Sequence, residues 1–203
     1  MEKLEKRIQQ NWDDAYKYHD FKSLPWETVE PDKELVLLLR ERKIKKCRAL
    51  DIGCGAGTNS IFLAQNRFDV TAVDISPTAI DIAKKRSKDA EVKIKFFVTN
   101  AYSLNLPKNS FDFIFDRGCF HHIPINYRKS YVKQNHRLLI KNGKYYLHAF
   151  SDRNNWNQEN LFSLGRIKTY FGEYFKIIEA GEIAHTAPHG EKVYLKSALM
   201  QKI

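Results

Sequence analysis

Ala49-Leu-Asp-Ile-Gly-Cys-Gly-Ala-Gly57 joins a short apolar run, Arg48 to Ile52, to a helical pattern that opens at Thr58. Strand, glycine turn and helix in that order form the opening unit of a parallel α/β sheet. Gly53, Gly55 and Gly57 let the backbone turn sharply and approach a ligand with no Cβ in the way. The helix start beyond them offers N–H groups to an anionic part of that ligand. A second apolar run, Val70 to Val73, ends on Asp74. An acid about 20 residues after the turn is where a carboxylate meets ribose hydroxyls in nucleotide-binding α/β units.

On either side of this unit, short apolar runs alternate with helical segments. Strands are expected near 48–52, 69–73, 93–98, 111–115 and 143–150, and helices near 2–18, 32–43, 58–66, 77–88, 125–140 and 158–171. Pro31-Asp32 marks a helix start. The last two strand-like runs, 174–180 and 192–200, have no helix between them. They predict a closing antiparallel hairpin, with His185 and His189 in its loop. The expected architecture is a doubly wound, mostly parallel sheet with helices on both faces and an antiparallel C-terminal hairpin. All 203 residues read as one domain, with 1–45 as an N-terminal helical cap and 46–203 as the α/β core. The cap contains an irregular aromatic stretch, Asp20 to Glu30, too apolar for a simple linker.

Composition narrows the class further. A hydrophobic content of 43% with 13% aromatics is that of a globular chain. No apolar run reaches the ~20 residues of a membrane span, and the charged opening Met-Glu-Lys-Leu lacks a signal-peptide core, so a cytoplasmic location is expected. Cys47, Cys54 and Cys119 make no metal-ligand or disulfide spacing, and no metal site is predicted. The net charge of +10 predicts attraction to anions. The lysines are scattered, with one dense cluster at Lys43 to Arg48, so a nucleic-acid partner is not indicated. Monomer and weak dimer both remain open.

Two cofactor classes use a glycine turn of this kind. Dinucleotides favour G-x-G-x-x-G, whose third glycine packs the helix beneath a pyrophosphate. The order here is G-x-G-x-G, and Asp51 stands two residues before the first glycine. A carboxylate there repels pyrophosphate but accepts hydrogen bonds near the ammonium of a methionine moiety. Asp51, Asp74 and the spacing therefore favour S-adenosylmethionine.

Residues 49–57 resemble the first motif of class I S-adenosylmethionine-dependent methyltransferases, and Val73-Asp-Ile-Ser76 resembles the second. Val98-Thr-Asn-Ala101 is similar to the third, in which the position of Asn100 is usually an aspartate that contacts adenine. Phe111 to Asp116 is similar to the fourth. The resemblance covers about 47–150 and implies a seven-stranded Rossmann-like sheet. It places Asp51, Gly53, Gly55, Gly57, Asn59, Asp74, Ile75, Asn100, Ala101 and Asp116 around the cofactor, with S-adenosylhomocysteine as product.

Methyl transfer from a sulfonium needs alignment and shielding more than proton chemistry. The candidate catalytic group is Asp116-Arg117, at the carboxyl edge of a strand where ligands of open α/β sheets bind. Gly118 allows a tight turn there, and the Arg117 guanidinium can attract an anionic acceptor. The alternative is a structural ion pair between Asp116 and Arg117. His121 and His122, at the next helix start, are substrate-pocket candidates. Asp116-Arg-Gly118, with Trp12-Asp-Asp14 and Pro25-Trp-Glu27, resembles the thiopurine, thiol/halide and tellurite-resistance methyltransferase group. That resemblance implies that Trp12 and Trp26 pack over the cofactor and that Tyr16 and Arg117 face the acceptor. The expected function is methylation of a small molecule, a sulfur, selenium or tellurium nucleophile first. The alternatives are a small-molecule O- or N-methyltransferase, an RNA or protein methyltransferase, a non-catalytic cofactor-binding module, and a nicotinamide oxidoreductase.

Overall fold

The computed structural model describes residues 2–186 and 190–203. The chain divides into two compact units, residues 1–101 and 102–203. Its seven strands form one mostly parallel sheet with an antiparallel C-terminal hairpin, the doubly wound architecture read from the sequence.

In the first unit, α1 (Glu2–Tyr18) and α2 (Lys33–Arg40) precede β1 (Arg48–Ile52), α3 (Thr58–Gln65), β2 (Asp69–Asp74), α4 (Pro77–Asp89) and β3 (Ile94–Val98). The three strands are parallel, in the order β3-β2-β1. Ile52 pairs with Val73 and Asp74 with Val98, so the three strands end level and their carboxyl ends share one edge. Helices α3 and α4 pack on these strands and bury Leu50, Ile52, Leu63, Val73 and Ala83. Local chemistry fixes the boundaries. Asp32 caps α2 by accepting from Leu35 N, and Ser76 caps α4 ahead of Pro77 by accepting from Ala79 N.

The second unit holds β4 (Phe111–Arg117), α5 (Ile125–Leu138), β5 (Leu139–Phe150), α6 (Leu164–Phe171), β6 (Phe175–Thr186) and β7 (Lys192–Lys202). Strands β4 and β5 are parallel, with Arg117 opposite His148. Strand β7 runs antiparallel to both β5 and β6. The unit's core is aromatic, built on Phe113, Phe115, Phe120, Tyr131, Tyr145, Phe162 and Phe171.

Two local expectations change. The helix read at 158–171 begins at Leu164, because the Ser163 hydroxyl caps it by accepting from Arg166 N. His185 lies in β6 and pairs with Val193, rather than in the hairpin loop, because the polar segment 181–186 continues the ladder on β7. His189 falls outside the described residues.

Candidate functional site

Turn geometry in the first unit starts with three glycines at positive φ: Gly53 (70°), Gly55 (53°) and Gly57 (81°). Each serves a different purpose. Gly53 is exposed and leaves its backbone open to a ligand. Gly57 lets α3 approach α4, since a Cβ there would meet Ala83 Cβ at 2.9 Å. A Cβ at Gly55 would collide with the Glu27 carboxylate and the Tyr16 hydroxyl. Gly53 is thus exposed, whereas Gly55 and Gly57 are covered by neighbouring side chains of the chain itself.

The cover is the segment after α1. Tyr16, 5% exposed, forms a small apolar cluster with Leu24, Ala56 and Ala79. Its hydroxyl accepts from Trp26 Nε1 at 3.0 Å and donates to Glu27 Oε1 at 2.6 Å. Ala56 N donates to the same Glu27 oxygen at 2.8 Å. Thr58 Oγ1 donates to Thr28 O at 2.8 Å, and Asp32 N donates to Asn59 Oδ1, also at 2.8 Å. Residues 26–32 therefore lie along the glycine turn and the start of α3. Trp12 meets Trp26 edge-on at 5.2 Å. Helix α1 is held to α4 by Asp13, which accepts from Ser76 Oγ at 2.7 Å and Thr78 N at 2.8 Å. A carboxylate at a helix start is favourable there.

Asp74 sits at the carboxyl end of β2. Its Oδ2 accepts from Gly55 N and its Oδ1 from Ser76 N, each at 2.9 Å, which fixes the plane of the carboxylate. Burial raises its pKa, while the N–H bonds from Ser76, Gly55 and Ile75 pull it back. Ile75 O accepts from Gln9 Nε2 at 3.0 Å. Asp51 is 3% exposed and accepts from Ser60 Oγ at 2.5 Å. Asn100 and Ala101 follow β3, and the preceding Thr99 N donates to Asp74 O at 2.8 Å. The first unit thus brings together all the cradle residues read from the sequence except Asp116, which lies in the second. Two further side chains contact the glycine turn without having been singled out in the sequence. Glu27 was visible only as the neighbour of Trp26 in Pro25-Trp-Glu27. Arg86, whose Nη1 donates to Ala56 O at 2.6 Å and Thr58 Oγ1 at 3.0 Å, was hidden among the surface lysines of α4.

At the end of β4, the second unit gathers Asp116, Arg117, His121 and His122. Asp116 is 0% exposed. It accepts from the hydroxyls of Tyr131 (2.7 Å) and Tyr145 (2.6 Å) and from Cys119 N (3.0 Å) and Phe120 N (3.1 Å). Arg117 is not among its donors, so the ion-pair alternative does not describe Asp116. Gly118, at φ 90°, makes the turn. His121 stacks on Phe150 at 3.7 Å between ring centroids, and its Nδ1 accepts from Phe150 N at 3.1 Å. Burial, aided by the charges of His122, Arg128 and Arg117, pushes its pKa well below the ordinary value. It is a neutral ring with its proton on Nε2. His122 is exposed and edge-on to Phe150. Trp156 is also edge-on to Phe150, at 4.9 Å. Buried Arg128 ties this turn to the loop before α6 by donating to Ile123 O (2.9 Å), Glu159 O (2.9 Å) and Asn160 Oδ1 (2.7 Å).

Residues 49–143 match the methyltransferase domain family. The match starts in β1, holds the whole glycine turn and Asp74, and ends in β5. A 2-heptyl-1-hydroxyquinolin-4(1H)-one methyltransferase of Mycobacteroides abscessus is 26% identical over 62% of this chain, which spans 56% of that relative's length. Among solved structures, one described as converting a disulfide bond into a thioacetal group during echinomycin biosynthesis superposes with a TM-score of 0.85. It is 22% identical and covers 96% of this chain and 91% of its own. TehB from Haemophilus influenzae superposes with a TM-score of 0.73 at 20% identity, over 95% of this chain and 67% of its own. The fold is that of the Rossmann-like methyltransferases, and the cofactor expected from the sequence is S-adenosylmethionine. The residues present fit it. An exposed Gly53 backbone, an oriented Asp74 carboxylate and a turn lined by acids suit a ribose and a cationic methionine moiety. No described helix is long and apolar enough to cross a membrane.

Proposed function

We propose that the chain is a small-molecule methyltransferase, one domain with residues 1–45 as its cap, whose acceptor reaches the site already ionised or without a proton to lose. S-adenosylmethionine supplies an activated methyl group when bound, so the protein has to hold and shield the reactants. In this reading the exposed Gly53 backbone, Asp51, Asp74, Ile75, Asn59, Asn100 and Ala101 hold the cofactor, and Trp12, Tyr16 and Trp26 shield it. The carrying observation is the state of two groups at the end of β4. Asp116 has four donors on a fully buried carboxylate, and His121 has its acceptor nitrogen taken by Phe150 N. Neither is placed to take a proton from a substrate. Asp116 is then a positioning residue that shapes the Arg117-Gly118 turn, and Arg117 attracts the anionic acceptor.

Thiolates and chalcogen oxyanions meet that requirement first. A second class is supported by the aromatic edge of Phe150, His122 and Trp156, and by the hydroxyquinolone relative. This is the planar heteroaromatic acceptor with an acidic hydroxyl. A radiolabelled methyl-transfer screen over thiols, selenite, tellurite, halides, phenols, N-hydroxyquinolones and bulk tRNA tests the proposal. Transfer to one of the small anionic acceptors is expected, and transfer to tRNA alone would overturn it.

Arg117→Ala is expected to leave cofactor affinity within about twofold and to lower kcat/KM for the anionic acceptor by about 50-fold. That is the size of a lost charge-assisted contact. Unchanged turnover would remove Arg117 from the site.

A further inference from the structure

We propose that Glu27 is a cofactor ligand, its carboxylate recognising the positive charge of the cofactor's methionine portion. This inference rests on the S-adenosylmethionine reading and adds to it a residue from the cap segment.

Three carboxylates, Glu27, Asp51 and Asp74, converge on the glycine turn. Glu27 and Asp74 accept from its successive N–H groups, Ala56 at 2.8 Å and Gly55 at 2.9 Å. The nearby cation, Arg86, is spent on Ala56 O and Thr58 Oγ1 at 2.6 and 3.0 Å. The turn therefore carries an excess of negative charge, which a bound cation would balance. Glu27 is held in place for such a role. The Trp26 indole orients the Tyr16 hydroxyl, and that hydroxyl and Ala56 N both donate to Oε1. Among the described residues Oε2 receives no hydrogen bond, so one carboxylate oxygen is anchored and the other is left for a ligand.

The groups facing Glu27 are Tyr16 from α1, Cys54 from the turn, Asp74 from β2 and Arg86 from α4. Burial holds its pKa above the ordinary value, with Asp74 adding to the rise and the bonds from Tyr16 and Ala56, with Arg86, opposing it. A cation would favour the ionised form. A carboxylate used only to dock the cap would need no charge. A glutamine oxygen accepts equally well from a hydroxyl and a backbone N–H, so Glu27→Gln removes the charge and keeps the anchor.

The test is calorimetry on the full chain and on Glu27→Gln with three ligands: S-adenosylmethionine, S-adenosylhomocysteine and methylthioadenosine. The last has neither sulfonium nor ammonium. The proposal expects S-adenosylmethionine affinity to fall about tenfold in the variant, with methylthioadenosine affinity changing less than twofold. An equal fall for S-adenosylhomocysteine would assign the contact to the ammonium, and a fall confined to S-adenosylmethionine would assign it to the sulfonium. Equal losses for all three ligands, or no loss for any, would overturn the proposal. Wild-type chain that binds none of the three would instead refute the cofactor reading.

Discussion

Asp116→Ala is expected to lower the unfolding free energy by about 4 kcal/mol, because it strands several buried donors in one step. The tyrosine hydroxyls of α5 and β5 and the N–H groups of Cys119 and Phe120 all point at this carboxylate. Phe120 and Tyr131 are fully buried, so water does not readily replace the lost acceptor. Asp116→Asn should cost less, about 2 kcal/mol. Its remaining oxygen still accepts from the N–H groups, and a tyrosine hydroxyl can rotate to accept from the new amide. Urea unfolding of the wild type and both variants measures this. A loss below about 1 kcal/mol for Asp116→Ala would contradict the structural anchor described here. Methyl transfer by Asp116→Asn at near wild-type kcat, with reduced stability, would agree with a positioning role. A collapse of kcat at unchanged stability would return Asp116 to the chemistry.

Asp74→Ala should raise the Kd for S-adenosylmethionine by about 100-fold. Two effects act together. The variant loses the carboxylate proposed to meet the ribose hydroxyls, and it releases Gly55 N and Ser76 N, which Asp74 holds at 2.9 Å each. Losing a charged acceptor costs about 1.5–3 kcal/mol, and loosening the turn that presents Gly53 adds to it. Asp74→Asn keeps one anchoring oxygen and should fall between the two. Calorimetry reads the difference directly. Affinity retained in Asp74→Ala would show that the ribose is held elsewhere.

The fold was legible because its signals are local and repeated. Pro77 after Ser76, Asp32 before α2 and the glycines between β1 and α3 each specify a boundary, and periodicity specifies the rest. The departures have local causes as well. Segment 181–186 carries no strong strand pattern, yet it pairs with β7 because an antiparallel partner lies alongside, and pairing overrides propensity.

The strand, turn and helix around Asp51, Gly53 and Asp74 were legible because a local motif spells them out. It was not legible where the decisive fact is a contact made across the sequence. Glu27 reaches Ala56 across 29 residues, and no local pattern marks that encounter. The burial of Asp116 was hidden in the same way, because it depends on Tyr131 and Tyr145, supplied by α5 and β5. From sequence alone an acid at a strand end reads as reactive. Surrounded by four donors, it reads as an anchor.

Every role proposed for the site depends on the cofactor turn. Titration of the wild-type chain with S-adenosylmethionine, S-adenosylhomocysteine and NAD, under identical conditions, tests it most directly. Saturable binding of both sulfur compounds with no heat from NAD is the predicted result. Binding of NAD alone would contradict it.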